Sequence, residues 1–222
     1  MTTPDDVELL AGAGADLAGL WYGIPGGHAD LRAGEVTALA QEARGTRRLR
    51  PVLVTFLSDV NALREVLDAS GIGWLQLHAY QPPSVVRAIR EVVAPEVVIV
   101  KVLHVRGGEC LERPLIPSYE RAGTDVFLLD AVTEDGRVGS TGRRIPEPQA
   151  LGLVDRLTIP FLLAGGITAD NRGEYASLVE HPRFIGVDVD TAARDHRGVF
   201  RPSLIRQITR GWRTARYDEE NT

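Results

Sequence analysis

The sequence predicts an α/β chain folded as a (β/α) barrel, and three observations carry that expectation. Helix-like and strand-like segments alternate at about 25–30 residues per unit, which is the pattern of parallel strands joined by helical crossovers. Polar residues or glycines end nearly every strand: Tyr22, His78, His104, Asp130, Gly165-Gly166 and Asp188. A barrel gathers its chemistry at the C-terminal ends of many strands, whereas an open doubly wound sheet gathers it at one switch point. No Gly-x-Gly-x-x-Gly follows the first strand and no Walker loop occurs, so a nucleotide-binding open sheet lacks its usual support.

Each element has its own local justification. Thr3 is a candidate N-cap with Pro4 at the first helical position, and this helix ends near Gly12 or Gly14. Leu17 to Tyr22 is an apolar run, hence a strand, and Gly23-Ile24-Pro25-Gly26-Gly27-His28 is a loop whose glycines suit a lid. A helix over Glu35 to Ala43, a strand over Val52 to Phe56 and a helix over Asn61 to Ala69 follow. The strand Trp74 to Leu77 delivers His78. Ser84 to Val93 has apolar residues at helical spacing, with Ser84 as N-cap. Val97 to Leu103 is rich in β-branched residues and reads as a strand ending at His104.

A loop with Gly107-Gly108 and a weak helix near Tyr119 lead to the strand at 125–130, which ends on Asp130. Beyond it come a glycine-rich loop, a helix from Pro148 to Leu157, and the strand Phe161 to Ala164 ending in Gly165-Gly166. A helix capped by Thr168, a strand from Phe184 to Val189 and a helix from Pro202 to Trp212 close the chain, with a frayed tail from Asp218 to Thr222. The expectation is seven strands and eight helices.

Composition narrows the function classes. The 222 residues suit one full-sized core, so a single domain over 1–222 is expected. Net charge is −5 and the basic residues are scattered, which leaves no electrostatic footprint for nucleic acid or an anionic membrane. The expected partner is a small molecule. Cys110 is the only cysteine, which excludes an intrachain disulfide framework and points to a reducing, cytoplasmic setting. No apolar run approaches the roughly 20 residues that span a bilayer. No His, Asp or Glu spacing resembles a metal triad, so neither metal nor cofactor is expected.

The candidate site residues follow from the strand ends. Asp130 closes a buried apolar strand, where a carboxylate either serves catalysis or caps a turn. Asp188, near the end of the last strand, is the second candidate acid or base. His78 and His104 are strand-end histidines, as fit for hydrogen-bonded walls as for ligands. Trp21, Tyr22 and Tyr80 either line a flat substrate or pack beneath the loops. Asp130, His78 and Asp188 are expected at one mouth, because each ends a parallel strand on the same face of the barrel.

Several stretches together resemble one family. They are Thr2-Thr3-Pro4-Asp5-Asp6-Val7, Gly14-Ala15-Asp16, Leu75-Gln76-Leu77-His78, Leu128-Leu129-Asp130, Gly139-Ser140-Thr141-Gly142, Leu163-Ala164-Gly165-Gly166-Ile167 and Gly186-Val187-Asp188-Val189. In this order and spacing they resemble phosphoribosylanthranilate isomerase. The resemblance implies a TIM-type (β/α)8 barrel that performs an Amadori rearrangement, with a cysteine base after the first strand and an aspartate acid after the sixth. Asp130 matches that acid by position. The resemblance also assigns substrate contacts to His28, at the place of the family's carboxylate-binding arginine, and phosphate contacts to Gly139, Thr141, Gly142, Gly165 and Gly166.

Departures from the family pattern shape the expectation. Met1-Thr2 aligns with the end of the family's Lys-Ile-Cys-Gly-(Ile/Met)-Thr, so the first strand and its cysteine are expected to be missing or truncated. The exposed strand edges would then be covered by an inserted loop or by the partner in a homodimer. The Ser-Ser-Gly after the last strand is Asp190-Thr191-Ala192, a carboxylate beside the expected phosphate that Arg143, Arg144 or Arg194 would have to balance. Gly165-Gly166 followed by the helix from Thr168 is either an anion cradle or a tight turn. Three readings stay open: a divergent isomerase-like enzyme using Asp130 and Asp188, a catalytically inactive barrel that binds or assembles, and an ordinary isomerase whose true start lies upstream.

Overall fold

The computed structural model describes residues 1–132 and 144–213. Its residues fall into two compact units, Met1–Val102 with Pro114–Phe127, and Leu103–Arg113 with the described part of Leu128–Thr222. Among the described residues there are eight strands and eight α-helices.

In the first unit, α1 (Pro4–Ala13) starts on Thr3, whose side chain accepts from the Asp6 N–H while Asp6 answers the Thr3 N–H, and it stops at Gly14 with φ of 90°. The capping box satisfies donors that a helix start leaves open, and glycine supplies the left-handed stop. The first strand is β1 (Leu17–Tyr22); the Met1 amino group donates to Gly19 O of that strand at 2.9 Å. β2 (Arg50–Thr55), β3 (Trp74–Leu77) and the start of β4 (Val98–Arg106) follow in parallel, order β1-β2-β3-β4. Their crossovers are α2 (Ala33–Gly45), α3 (Val60–Ser70) and α4 (Pro83–Val92), and α5 spans Ile116–Arg121.

The register aligns the side chains in rows. Leu20, Leu53, Leu75 and Ile99 form one row, and all four are fully buried. The next residues, Trp21, Val54, Gln76 and Val100, form a row on the opposite face, and Tyr22, Thr55, Leu77 and Lys101 return to the first. Tyr22 meets α2 and α3, where with Ala33, Thr37, Ala62 and Val66 it lines a slot of about 360 Å³. The face of Leu20 and Tyr22 is therefore the helix-covered one. On the other face Val52 and Val54 pack with Ile24, Trp21, Phe56 and Trp74.

The second unit continues β4 and turns it back into β5 (Glu109–Cys110), an antiparallel hairpin closed at Gly107 and Gly108 with φ of 56° and 89°. Two successive positive-φ glycines match the tight turn a twisted hairpin needs. β6 (Val126–Ala131), β7 (Phe161–Leu163) and β8 (Phe184–Val187) then follow, in the order β4-β6-β7-β8. Helices α6 (Glu147–Val154), α7 (Ala176–Glu180) and α8 (Pro202–Trp212) belong to this unit.

Four local expectations are corrected. Residues 105–110, expected as a loop, form the end of β4 and the short β5, so His104 lies within a strand instead of at its end. α4 begins at Pro83 after Pro82, one residue before the expected cap Ser84, because Pro fits the first helical position. α6 starts at Glu147 and stops at Val154. No helix starts at Thr168: its N–H donates to Asn171 Oδ1 at 2.9 Å, and Asn171 Nδ2 donates to Gly166 O at 3.0 Å. A buried asparagine satisfying local backbone in this way competes with helix formation, and only a 3-10 turn (Arg172–Tyr175) and the five-residue α7 follow.

Candidate active site

His78 is the residue that leaves β3. Its N–H donates to Thr55 O at 2.9 Å, extending the β2–β3 register by one step so that His78 pairs with Phe56. The two rings stack at 5.8 Å and 21°, and Gln76, two residues back on the same face, places Nε2 3.0 Å from His78 Nδ1. Both side chains are buried.

The turn after His78 is held from the helix-covered side. Lys101 is fully buried, and its Nζ donates to Ala79 O at 2.8 Å and Val102 O at 2.6 Å, 5.4 Å from the Tyr119 ring centroid. Tyr119 donates from its hydroxyl to Gln81 O at 2.8 Å; the Gln81 side chain accepts from Ala79 N at 3.0 Å and donates to Leu57 O at 3.1 Å. Burying an ammonium is costly unless it is hydrogen-bonded and faced by π density, and here it has both. The sequence reading missed this network, although a lysine inside the run Val97 to Leu103 was its visible signal.

The loop after β1 folds back onto its strand. Ile24 N–H donates to Asp30 Oδ1 at 3.1 Å, Leu31 N–H to Trp21 O at 2.9 Å, and Ile24 is buried against Val52 and Val54. Gly23 has φ of 67°, and a Cβ there would strike the Leu57 side chain. His28 is exposed and meets Trp21 edge-on at 5.2 Å and 64°. Trp21 and Tyr22 diverge to opposite faces, so they form no common wall, and Tyr80 is 48% exposed.

In the second unit the two candidate carboxylates share a row. Ala164 N–H donates to Leu129 O at 2.7 Å and Asp188 N–H to Leu163 O at 2.9 Å. In parallel pairing these bonds set Ala164 opposite Asp130 and Asp188 opposite Ala164, so both aspartates project from one face at the C-terminal strand ends. Two strand spacings put their Cα atoms about 10 Å apart, with the Ala164 methyl group in the row between them. Asp130 is buried and Asp188 exposed. The opposite face of β7 carries Phe161, whose ring meets Phe184 and His181.

Gly165 and Gly166, with φ of 82° and 63°, form the turn after β7 that Asn171 stitches. Because α7 begins only at Ala176, a helix N-terminus is not part of that turn. Asp190 is answered by Arg194, Nε to Oδ1 at 2.7 Å, and the guanidinium lies 3.6 Å from the Phe200 ring centroid while also donating to Gly198 O. Arg144 pairs with Glu174 instead. Gly139, Thr141, Gly142 and Arg143 lie outside the described residues.

Cys110 sits in β5 beside a buried pair. His104 Nδ1 and Glu112 Oε1 lie 2.6 Å apart, and Glu112 Oε2 accepts from His104 N at 3.2 Å and from Cys110 Sγ at 3.8 Å. Burial first, and the Glu112 charge second, push the thiol up to about 12. Such a thiol carries almost no thiolate at neutral pH and makes a poor base or nucleophile. Among the described residues no group of three or more His, Cys, Asp or Glu could hold a metal ion, and no helix is long and apolar enough to cross a membrane.

No family model matches the chain. It is 30% identical over 216 residues to the N-(5'-phosphoribosyl)anthranilate isomerase of Afipia carboxidovorans, covering 97% of this chain and 87% of that one. It is also 30% identical over 217 residues to the enzyme of the same name from Rhodopseudomonas palustris, covering 97% and 96%. The solved structure of phosphoribosyl anthranilate isomerase from Thermus thermophilus superposes with a TM-score of 0.75 at 22% identity, over 95% of this chain and 94% of that one. The fold class expected from the alternating pattern is the one these proteins share.

Proposed function

The chain belongs to the N-(5'-phosphoribosyl)anthranilate isomerase family, and from that membership we propose an aldose-to-ketose rearrangement of a phosphoribosylated aromatic amine that uses Asp130 and Asp188. It is an isomerase-type enzyme acting on a small molecule. Asp130 serves as the general acid that protonates the furanose ring oxygen and opens the ring. Asp188 takes the proton from C2 of the opened imine, giving the enol amine that tautomerises to the ketose.

The observation that supports this pairing is the shared row, Asp130 to Ala164 to Asp188, with both carboxylates on one face at the strand ends. The only cysteine, Cys110, does not fit the role of base, since its thiol is held protonated beside Glu112. His28, held edge-on to Trp21, stands where the family resemblance has a carboxylate-binding arginine, and an imidazole is a weaker clamp than a bidentate guanidinium. Gly165 and Gly166 approach the substrate by backbone alone.

The test is direct. Purified protein is incubated with N-(5'-phosphoribosyl)anthranilate and the ketose product is measured by chromatography. Turnover that persists in Cys110→Ser and collapses in Asp188→Asn supports the pairing. Turnover indifferent to Asp188 removes it as the base, and saturable binding with no turnover favours a barrel that binds without catalysing.

A further inference from the structure

The hydrogen bond from Val132 N–H to Val105 O at 3.0 Å fixes the register of β4 against β6. In parallel pairing it sets Ala131 opposite Val105 and, one step back, His104 opposite Asp130, on the face that carries both aspartates. His104 therefore heads the row that continues through Asp130 and Ala164 to Asp188, and all four lie in the second unit. We propose that Glu112 and His104 are positioning residues for Asp130: the Glu112 carboxylate holds the imidazole by Nδ1, and the ring's Nε2 hydrogen-bonds the Asp130 carboxyl and fixes its orientation for proton delivery. This rests on the isomerase reading above, in which Asp130 is the acid.

The hairpin supplies the geometry. An ionised carboxylate can only accept; Glu112 takes the His104 N–H on Oε2 at 3.2 Å and faces Nδ1 with Oε1 at 2.6 Å. The ring therefore carries a proton on Nδ1, and Nε2 is its nitrogen on the side of Asp130. Backbone groups of successive strand residues point to opposite edges, and here His104 N–H meets Glu112 while Val105 O meets the chain at the end of β6. Glu112 thus approaches β4 from the edge away from β6, and the imidazole stands between it and Asp130. Neighbouring strands lie about 4.8 Å apart, which lets an imidazole and a carboxyl group on paired residues meet. His104 is fully buried, and Glu112 and Asp130 are 3% and 6% exposed. A buried polar chain of this kind rigidifies its members, and a small misplacement of a reacting group can cost about 10²-fold in rate. His104 needs no contact with substrate for this role.

Ring-15N histidine spectra and kinetics test this. The protein has five histidines, and the His104 signals are those lost in His104→Gln. In the parent protein His104 Nδ1 should be protonated. Asp130→Asn should move the His104 Nε2 resonance and leave the other histidines in place. Glu112→Gln should lower kcat about 10–100-fold with KM changed far less, and in the Asp130→Asn background the same change should cost no further activity. A bare Nδ1 in the parent overturns the proposal without any variant, so a misfolded variant still leaves it decided. A His104 spectrum indifferent to Asp130→Asn overturns it too, as does a Glu112→Gln protein with full kcat, or one whose loss is undiminished in the Asp130→Asn background. Absence of turnover by the parent protein counts against the isomerase reading, whereas the response of His104 to Asp130→Asn judges the positioning contact separately.

Discussion

The two units finish their strands in different ways. In the first, the end of β3 is built for fixed position: one imidazole is locked by Gln76, Phe56 and Thr55, and its turn is tied down by Lys101, Gln81 and Tyr119. In the second, the strand ends present charge: Asp130 and Asp188 flank a single alanine, and two positive-φ glycines follow. Buried polar networks rigidify when fully satisfied, whereas a proton-transferring carboxylate needs a clear path to the reacting atom. The difference shows an imidazole held by what surrounds it, and a carboxylate by where its strand ends.

The largest effect should come from breaking the second unit's half of this contrast. Asp130→Asn keeps the side-chain shape but cannot donate a carboxyl proton, and should lower kcat by about 10²–10⁴. Its circular dichroism and melting temperature should stay near those of the parent. A variant with full turnover would strip Asp130 of its role.

The next effect belongs to the first unit and is one of stability. Lys101→Met leaves the carbonyls of Ala79 and Val102 without their buried donor, at a cost of about 1–3 kcal/mol each in the worst case. Urea denaturation should show the loss. A Lys101→Met protein as stable as the parent would mean that the network contributes order without net free energy, as some buried charges do.

Cys110 sharpens the contrast through pH. The folded thiol keeps its proton to about 12, against 9.0 in the unfolded chain. Its contribution to stability is therefore complete below pH 9 and is lost as pH rises towards 12. Cys110→Ala should flatten the decline of unfolding free energy over that window, and at pH 8 iodoacetamide should alkylate the native protein far more slowly than the urea-unfolded one. Equal rates would contradict the burial.

The smallest effect is expected on the outer side of β8. Ile185 is 47% exposed, and Ile185→Thr should change stability by no more than about 0.5 kcal/mol. A larger loss would show that this side chain is covered in solution.

Much of this was legible in the chain itself because it depends on local periodicity and local chemistry. The alternation of apolar segments marked β1 and β3 at their observed limits, Leu17 to Tyr22 and Trp74 to Leu77, and Thr3-Pro4 marked the start of α1. The strand-end positions of Asp130, His78 and Asp188 were equally visible, since a carboxylate or imidazole closing an apolar run stands out. The aromatic wall of Trp21, Tyr22 and Tyr80 does not form, because the period of two in β1 turns Trp21 and Tyr22 to opposite faces. What only the tertiary structure decided is which groups satisfy the buried polar atoms. Asn171 bonding Thr168 N, Lys101 reaching Ala79 O, and Glu112 meeting His104 each join residues whose partner a short window cannot name. The row that pairs Asp130 with Asp188 likewise depends on strand register, which is set by backbone hydrogen bonds between segments far apart in sequence.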